Sequence, residues 1–175
     1  MPSAAAHAAG LKRFAIGGVS ATGTVRHDGD RVRTLMTRHD AVVGTLQDYY
    51  AAFNTLEVGA VLPYFHQPSL LLGAQGAFAA PTADALTIAV SAVIYSLRGR
   101  GFGRSELIVR RVEFLSAGIS VVSGIAVRYK VDGEELERVG VTYVLHRVDG
   151  RWKIAVLIVH DPIDAALAES ERQAV

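Results

Sequence analysis

The chain has 175 residues, 50% of them hydrophobic and 20% charged, which suits one compact domain with an apolar core and excludes a disordered protein. Eighteen Lys and Arg nearly balance seventeen Asp and Glu, so the formal net charge of +1 supplies no field that would gather nucleic acid or an anionic membrane. The absence of cysteine excludes disulfides, a thiolate nucleophile and cysteine-ligated zinc. A reducing compartment is compatible with this, and we expect a cytoplasmic protein without a nucleic-acid partner.

Residues 1–36 show no sustained periodicity and are predicted to form a flexible extension. Their Ala- and Arg-rich composition is also typical of an organelle transit peptide, although Asp28 and Asp30 argue against one. Met36 directly precedes the first periodic segment, so an artefact of start-site assignment is a further alternative. No apolar run approaches the roughly 20 residues of a membrane span, and we expect no membrane partner.

Three helices are predicted next. The first begins at Thr37, capped with the help of Asp40, and its apolar stripe consists of Val42, Leu46, Tyr49 or Tyr50, Phe53 and Leu56. A shorter helix runs from about Glu57 to Phe65, where Pro63 bends or ends it. After a short strand over Ser69 to Leu72, Thr82 caps a third helix, which the glycines at 99, 101 and 103 end.

The rest of the domain is predicted to be strand. Four extended runs cover about 105–116, 119–131, 134–148 and 151–160, and Asp132-Gly133 and Asp149-Gly150 are strong hairpin turns between them. Helices followed by such a meander predict an α+β domain, in which three N-terminal helices pack on a strongly curved antiparallel sheet. The domain is expected to span 37–162, with 163–175 as a C-terminal tail.

Two-residue turns fix the predicted register and sort the strand residues into two faces. One face is expected to carry Arg111, Glu113, Tyr143, Trp152 and His160 among apolar residues, and the other face is also largely apolar. Helices of one chain cover only one face, so we expect a second copy to cover the other. The sequence thus predicts a homodimer through the sheet.

Three segments resemble the nuclear transport factor 2-like superfamily, which includes ketosteroid isomerase and SnoaL-like polyketide cyclases. They are Asp48-Tyr-Tyr-Ala-Ala-Phe-Asn54, Leu62-Pro-Tyr-Phe65 and the final hairpin from Leu145 to Ile154. The resemblance covers most of 37–162 and implies a cystatin-like, cone-shaped cavity between the concave sheet face and the helices. A small apolar ligand is the partner that such a cavity implies.

The resemblance also implies catalytic positions, of which most are unfilled. Tyr49 matches the tyrosine oxyanion donor of the isomerases, but Gly73 stands where they have the general base. Their second, acidic oxyanion donor corresponds to about Val141 in this chain, and Tyr143 lies two residues later. A dehydratase of the superfamily would have Asp near Asn54. Classical steroid isomerisation is therefore not expected, because abstraction of a proton needs a base within reach.

The candidate catalytic residues are His160, which precedes Asp161, and Glu113. The candidate ligand-binding residues are Tyr49, Tyr143, Arg111, Val141 and Trp152. Arg111 and Glu113 are alternatively a bridged pair at the cavity mouth. Arg128 is expected to form a cross-strand ion pair with Glu137. We expect no cofactor and no metal, because the histidines lack ligand spacing.

Two functions of different classes remain open. The first is a small-molecule-binding protein with an apolar pocket, which as an enzyme would be a cofactor-independent isomerase, cyclase or dehydratase. The alternative is a non-catalytic homodimeric interaction module with a filled core. Small residues at Gly73, Gly124 and Ala126 favour room inside, whereas Tyr143, Leu145 and Trp152 favour filling. A cavity of a few hundred Å³ beside Tyr49 and Tyr143 would separate the two.

Overall fold

The structure is a computed structural model that describes residues 28–162. The predictions for residues 1–27 and for the tail at 163–175 lie outside the described residues. The elements, in chain order, are α1 (Asp28–Asn54), α2 (Val58–Val61), a 3-10 turn (Leu62–Tyr64), β1 (Phe65–Gly73), β2 (Gly76–Ala80), α3 (Ala83–Gly99), β3 (Phe102–Phe114), β4 (Ile119–Lys130), β5 (Glu135–Val148) and β6 (Arg151–His160).

Helix α1 begins nine residues before the predicted start, at Asp28 instead of Thr37. Thr37 does not cap it, because its hydroxyl donates to the carbonyl oxygen of Arg33 one turn earlier, at 2.9 Å. The apolar stripe that marked the helix starts only at Val42, where α1 first becomes buried. The prediction was wrong because periodicity detects the packed part of a helix and not its exposed first turns.

The six strands form one sheet in the order β2-β1-β6-β5-β4-β3. The predicted antiparallel meander of β3 to β6 is confirmed, and its last turn has positive φ at Asp149 and Gly150 (49° and 80°), as an Asp-Gly hairpin requires. Strand β1 is longer than predicted and pairs in parallel with β6. The predicted loop from Gly73 to Pro81 contains β2, whose short Gly-Ala-Phe-Ala-Ala sequence lacks an alternating pattern.

Two bulges change the predicted faces of the sheet. One extra residue lies in β3 at Arg110, between the pairs Val109 with Gly124 and Arg111 with Ser123. Another lies in β6 at Ala155, where the register against β5 also shifts. A one-residue insertion turns every later side chain of that strand to the opposite face. The predicted faces are therefore wrong for β3 after Val109 and for β6 after Ile154.

The core lies between the concave face of the sheet and the three helices. Thr82 caps α3 as predicted, since its hydroxyl accepts a hydrogen bond from the backbone N–H of Ala85 at 3.3 Å. The buried stripe of α3 consists of Leu86, Val90, Ile94 and Leu97, and α1 contributes Val42, Leu46, Tyr49, Tyr50 and Phe53. No helix among residues 28–162 covers the other face, which we call the outer face.

Candidate functional site

Helix α1 and strand β5 bring three tyrosines together at the centre of the cone. Tyr49 and Tyr50 belong to the buried stripe of α1, and Tyr143 lies in the middle of β5. The Tyr49 ring packs edge-on against Tyr50 and Tyr143, with centroids 5.4 and 6.2 Å apart. The hydroxyls of Tyr50 and Tyr143 form a buried hydrogen bond of 2.8 Å. The resemblance to the isomerases singled out Tyr49 and missed Tyr50, although the helical stripe allowed either residue.

Burial decides the protonation of these hydroxyls. It raises the pKa of Tyr50 to about 12, even though the hydrogen bond to Tyr143 and the charge of Arg128 act in the opposite direction. Burial likewise raises the pKa of Tyr49 and of Tyr143 well above the ordinary value, and neighbouring tyrosines raise both further. All three side chains are therefore neutral hydroxyls at physiological pH and act as hydrogen-bonding groups, not as bases.

Arg128 on β4 is the cationic group beside these tyrosines. Its Nη1 lies 2.5 Å from Glu137 on β5, so the predicted ion pair is confirmed. Arg100, just after α3, pairs with the same carboxylate. Burial raises the pKa of Glu137, but hydrogen bonds from Arg100 and Arg128 outweigh it and hold the pKa below its usual value. The buried Nε of Arg128 has no hydrogen-bond partner among the described residues.

The tyrosines and Arg128 surround a cavity of about 30 Å³, which we call the tyrosine niche. Other residues of its lining are Phe53, Ser105, Ala126, Val141, Leu157 and Val159. This volume holds about one water molecule. The cavity described beside Tyr49 and Tyr143 is therefore far smaller than the few hundred Å³ expected of a ligand pocket, and aromatic rings pack around it.

Gly124 was expected to leave room for a ligand, but the backbone of β3 occupies the space beside it. A Cβ atom at this position would lie 2.4 Å from the carbonyl oxygen of Ile108 and 3.3 Å from a methyl group of Leu107. The missing side chain thus lets β3 approach β4 closely beside the bulge at Arg110. A small residue in a strand pattern does not by itself indicate an empty cavity.

Four of the predicted site residues lie on the concave side. Tyr49, Tyr143 and Val141 line the tyrosine niche. Trp152 is buried, but it packs against the Phe114 ring at 6.2 Å and does not line the niche.

His160 lies on the outer face, and its predicted place in the cone is wrong. The bulge at Ala155 pairs His160 with Gly140, so it shares a face with Thr142 and Val144. The imidazole covers Gly140 so closely that a Cβ there would lie 2.3 Å from a ring carbon. Its Nδ1 lies 2.6 Å from the carbonyl oxygen of Asp161. His160 therefore has no access to the tyrosine niche.

Arg111 and Glu113 also lie on the outer face, contrary to the predicted face. The bulge at Arg110 turns both side chains away from the helices. They form an exposed ion pair of 2.7 Å on the edge strand β3, which agrees with the bridged-pair alternative. Neither residue can contact a ligand inside the cone.

An apolar patch crosses the outer face over five adjacent strands. Its members, which we call the outer patch, are Leu70, Leu72, Ile108, Val121, Ile125, Val144, Val156 and Ile158. They are half-buried or exposed, and Thr142 and Ser123 interrupt them at the centre. His66 and His146 lie at one end of the patch, with ring centroids 5.1 Å apart, and His160 lies at the other.

No three His, Cys, Asp or Glu side chains between residues 28 and 162 come together as metal ligands. None of the helices described there is long and apolar enough to cross a membrane.

Comparison with known proteins identifies the family. The profile of a family described as NTF2-like protein (DUF6841) matches residues 39–162. The chain belongs to this NTF2-like family. A search of curated proteins finds no significant match.

Solved structures confirm the cystatin-like α+β fold. An NTF2-like protein of unknown function from Shewanella oneidensis is 16% identical, with a TM-score of 0.60 over 71% of this chain and 99% of that one. An NTF2-like protein with a cystatin-like fold from Novosphingobium aromaticivorans is 9% identical, with a TM-score of 0.61 over 86% and 97%. A ketosteroid isomerase-like protein from Erwinia carotovora is 17% identical, with a TM-score of 0.53 over 71% and 95%. At these identities the likeness concerns the fold alone.

Proposed function

We propose that the protein is a homodimeric association module, in which the cone is a structural core and the outer patch binds a second copy. The observation that carries this proposal is the distribution of apolar surface. The concave face is filled and leaves about 30 Å³, whereas the outer patch has no cover among the described residues. Apolar side chains on both faces of a sheet gain free energy only if both faces are removed from water.

The size of the outer patch suits the centre of a protein interface. Five strands about 4.8 Å apart and three rows of side chains along the strands span an area on the order of 300 Å², of which the eight residues of the outer patch cover about half. A standard interface buries about 800 Å² on each partner and surrounds such a centre with a polar rim. His66, His146 and His160 lie at the ends of the patch and would belong to that rim.

A second copy is the partner that the charges of this face favour. The outer patch contains no charged residue, and the Arg111–Glu113 pair at its β3 edge has one charge of each sign. A twofold contact needs a surface complementary to itself, and a neutral centre with a balanced edge fulfils this condition. The net charge of +1 adds little repulsion between copies.

The test places a charge in the outer patch. Val144 lies on the central strand β5, and Val144→Glu would put a carboxylate on each subunit within an apolar contact. We expect sedimentation equilibrium at micromolar concentration to show a dimer for the unmodified chain, with dimerisation weakened at least about 100-fold in V144E. Ser123→Arg repeats the test at a residue that is already polar.

The matched control is Val131→Glu. Val131 is 82% exposed beyond the end of β4, away from the outer patch, so the same substitution should leave association unchanged. Circular dichroism checks that the variants are folded. An unmodified chain that stays monomeric, or a folded V144E and S123R that associate as V131E does, would contradict the proposal.

The competing function is ligand binding or cofactor-independent catalysis in the cone. The unpaired Nε of Arg128 beside the tyrosine hydroxyls is the observation in its favour, since these groups would suit an oxyanion. The lining of the niche contains no carboxylate and no imidazole, so proton abstraction lacks a base. A thermal-shift screen with apolar carbonyl compounds tests it: stabilisation lost in Tyr50→Phe would favour this function over association alone.

A further inference from the structure

We propose a second binding site, for a small anion with carboxylate or phosphate groups, in an open groove between the 3-10 turn, the start of β1 and the β5–β6 hairpin. We call it the base groove. Its volume is about 550 Å³, within the range of small-molecule sites, whereas the tyrosine niche is far below that range. The proposal goes beyond the association function and does not depend on it.

The lining of the base groove is rich in hydrogen-bond donors. Arg151 and Lys153 extend from the same face of β6, and His66 and Gln67 line the groove from β1. Asp149 supplies the only acidic side chain of the lining, so Arg151 and Lys153 leave a formal charge of +1 with neutral histidine. This donor set is suited to carboxylate or phosphate oxygens.

Two of these side chains, Arg151 and Gln67, are uncommitted. Among residues 28–162, no ion pair or side-chain hydrogen bond engages Arg151 or Gln67. His66 donates from Nδ1 to the carbonyl oxygen of Pro68 at 3.0 Å, so Nε2 of the neutral ring is an acceptor and this side chain offers no further donor to an anion. Lys153 donates to the carbonyl oxygen of Pro63, a contact that holds its ammonium at the groove wall. A ligand anion would therefore gain charged contacts without having to break ion pairs of the protein.

The base groove is separate from the cone. Lys153 and the niche residue Leu157 lie four residues apart on β6, which corresponds to about 13 Å along the strand. The Phe65 ring lines the groove and packs against Tyr49 with centroids 5.7 Å apart, but Arg151 and Lys153 do not line the niche. The groove adjoins the outer face at His66 and Lys153 but contains no member of the outer patch.

The experiment titrates the full chain with sodium phosphate and, separately, sodium citrate at constant ionic strength, with chloride as the reference. Calorimetry or NMR shifts should show saturable binding of at least one of the two anions, and the comparison distinguishes phosphate from carboxylate ligands. Arg151→Gln and Lys153→Gln should each weaken binding by about fivefold or more. Asp149→Asn should strengthen it about twofold, and asparagine tolerates the positive φ at that position.

Arg138→Gln is the control, because Arg138 is an exposed arginine near the other end of β5 and is paired with Glu135. It should leave anion binding unchanged, and R151Q remains informative if K153Q disturbs the fold. Binding that does not saturate, or that R151Q and R138Q affect equally, would overturn the proposal. V144E should bind anions as the unmodified chain does, so the result is independent of dimerisation.

Discussion

The hydroxyls of Tyr50 and Tyr143 meet 2.8 Å apart beneath α1, where both rings are almost fully buried. A buried hydroxyl costs free energy unless it has a partner, and each of these two is the partner of the other. Tyr49 packs edge-on against both rings and completes the aromatic filling of the cone. At the scale of single residues, the hydroxyls of Tyr50 and Tyr143 therefore satisfy each other within the core of the cone.

The pair predicts a specific form of non-additivity. Tyr143→Phe removes the shared hydrogen bond and leaves the Tyr50 hydroxyl unpaired, so we expect unfolding to cost about 1–2 kcal/mol less. Tyr50→Phe should have a similar effect. The double variant leaves neither hydroxyl unpaired and should lose about 1 kcal/mol less than the two single losses combined. Urea unfolding at one protein concentration measures this, and strictly additive losses would show that the hydrogen bond is unimportant.

Alkaline pH gives a second prediction. The folded-state pKa of Tyr50 is about 12, and the pKa values of Tyr49 and Tyr143 are also raised above the unfolded value of 10. The unfolded chain therefore loses these protons first, and the free energy of unfolding falls as the pH rises above about 10. Each tyrosine contributes up to about 1.4 kcal/mol per pH unit.

Tyr49→Phe tests the source of that alkaline slope. The variant should lose stability less steeply between about pH 10 and 12, because one raised group is gone. Urea midpoints across this range provide the measurement. A slope identical to that of the unmodified chain would show that Tyr49 does not contribute as its burial implies.

At the scale of elements, Asn54 connects the end of α1 to the beginning of β3. Its Nδ2 donates to the carbonyl oxygen of Ser105 at 3.0 Å, and its Oδ1 accepts from the backbone N–H of Ser105 at 2.7 Å. An amide both donates and accepts in this way at neutral pH, whereas a carboxylate only accepts. The position where a dehydratase of the superfamily would have Asp thus serves here to hold helix and sheet together.

This connection predicts that Asn54→Ala lowers the free energy of unfolding by about 2–3 kcal/mol, because both backbone groups of Ser105 lose their partner. Asn54→Asp should also destabilise, since a carboxylate cannot donate to the carbonyl oxygen. Ser96→Ala, on the exposed side of α3, is the control and should change stability by less than about 0.5 kcal/mol. Equal stability of N54A and S96A in urea would contradict this role of Asn54.

The predictability of each element followed from the kind of signal that it carries. The Asp149-Gly150 turn and the Thr82 cap depend on neighbouring residues, so they were predicted correctly. The bulges at Arg110 and Ala155 have no comparable local signature, and each of them turns the side chains that follow to the opposite face of the sheet.

Glu113 and His160 were assigned to the cone only because these two bulges were not predicted. Gly140 was a sequence signal that could have been used, because a glycine within a strand indicates a close approach, and here the His160 imidazole packs on it.

At the scale of the whole molecule, the sheet has two apolar faces and one layer of described helices. The concave face is closed by α1, α2 and α3 over aromatic rings, and about 30 Å³ remains inside. The outer face presents the eight residues of the outer patch to solvent or to a partner. The proposal that the sheet surface carries the function rests on this distribution of apolar residues, which the fold family alone does not indicate.

The most direct test of this account is the mass of the unmodified full chain in solution. Sedimentation equilibrium across the micromolar range should give twice the 18.7 kDa of one chain, with dissociation only on dilution. A mass of 18.7 kDa at every concentration in that range would contradict the association of two sheets through the outer patch.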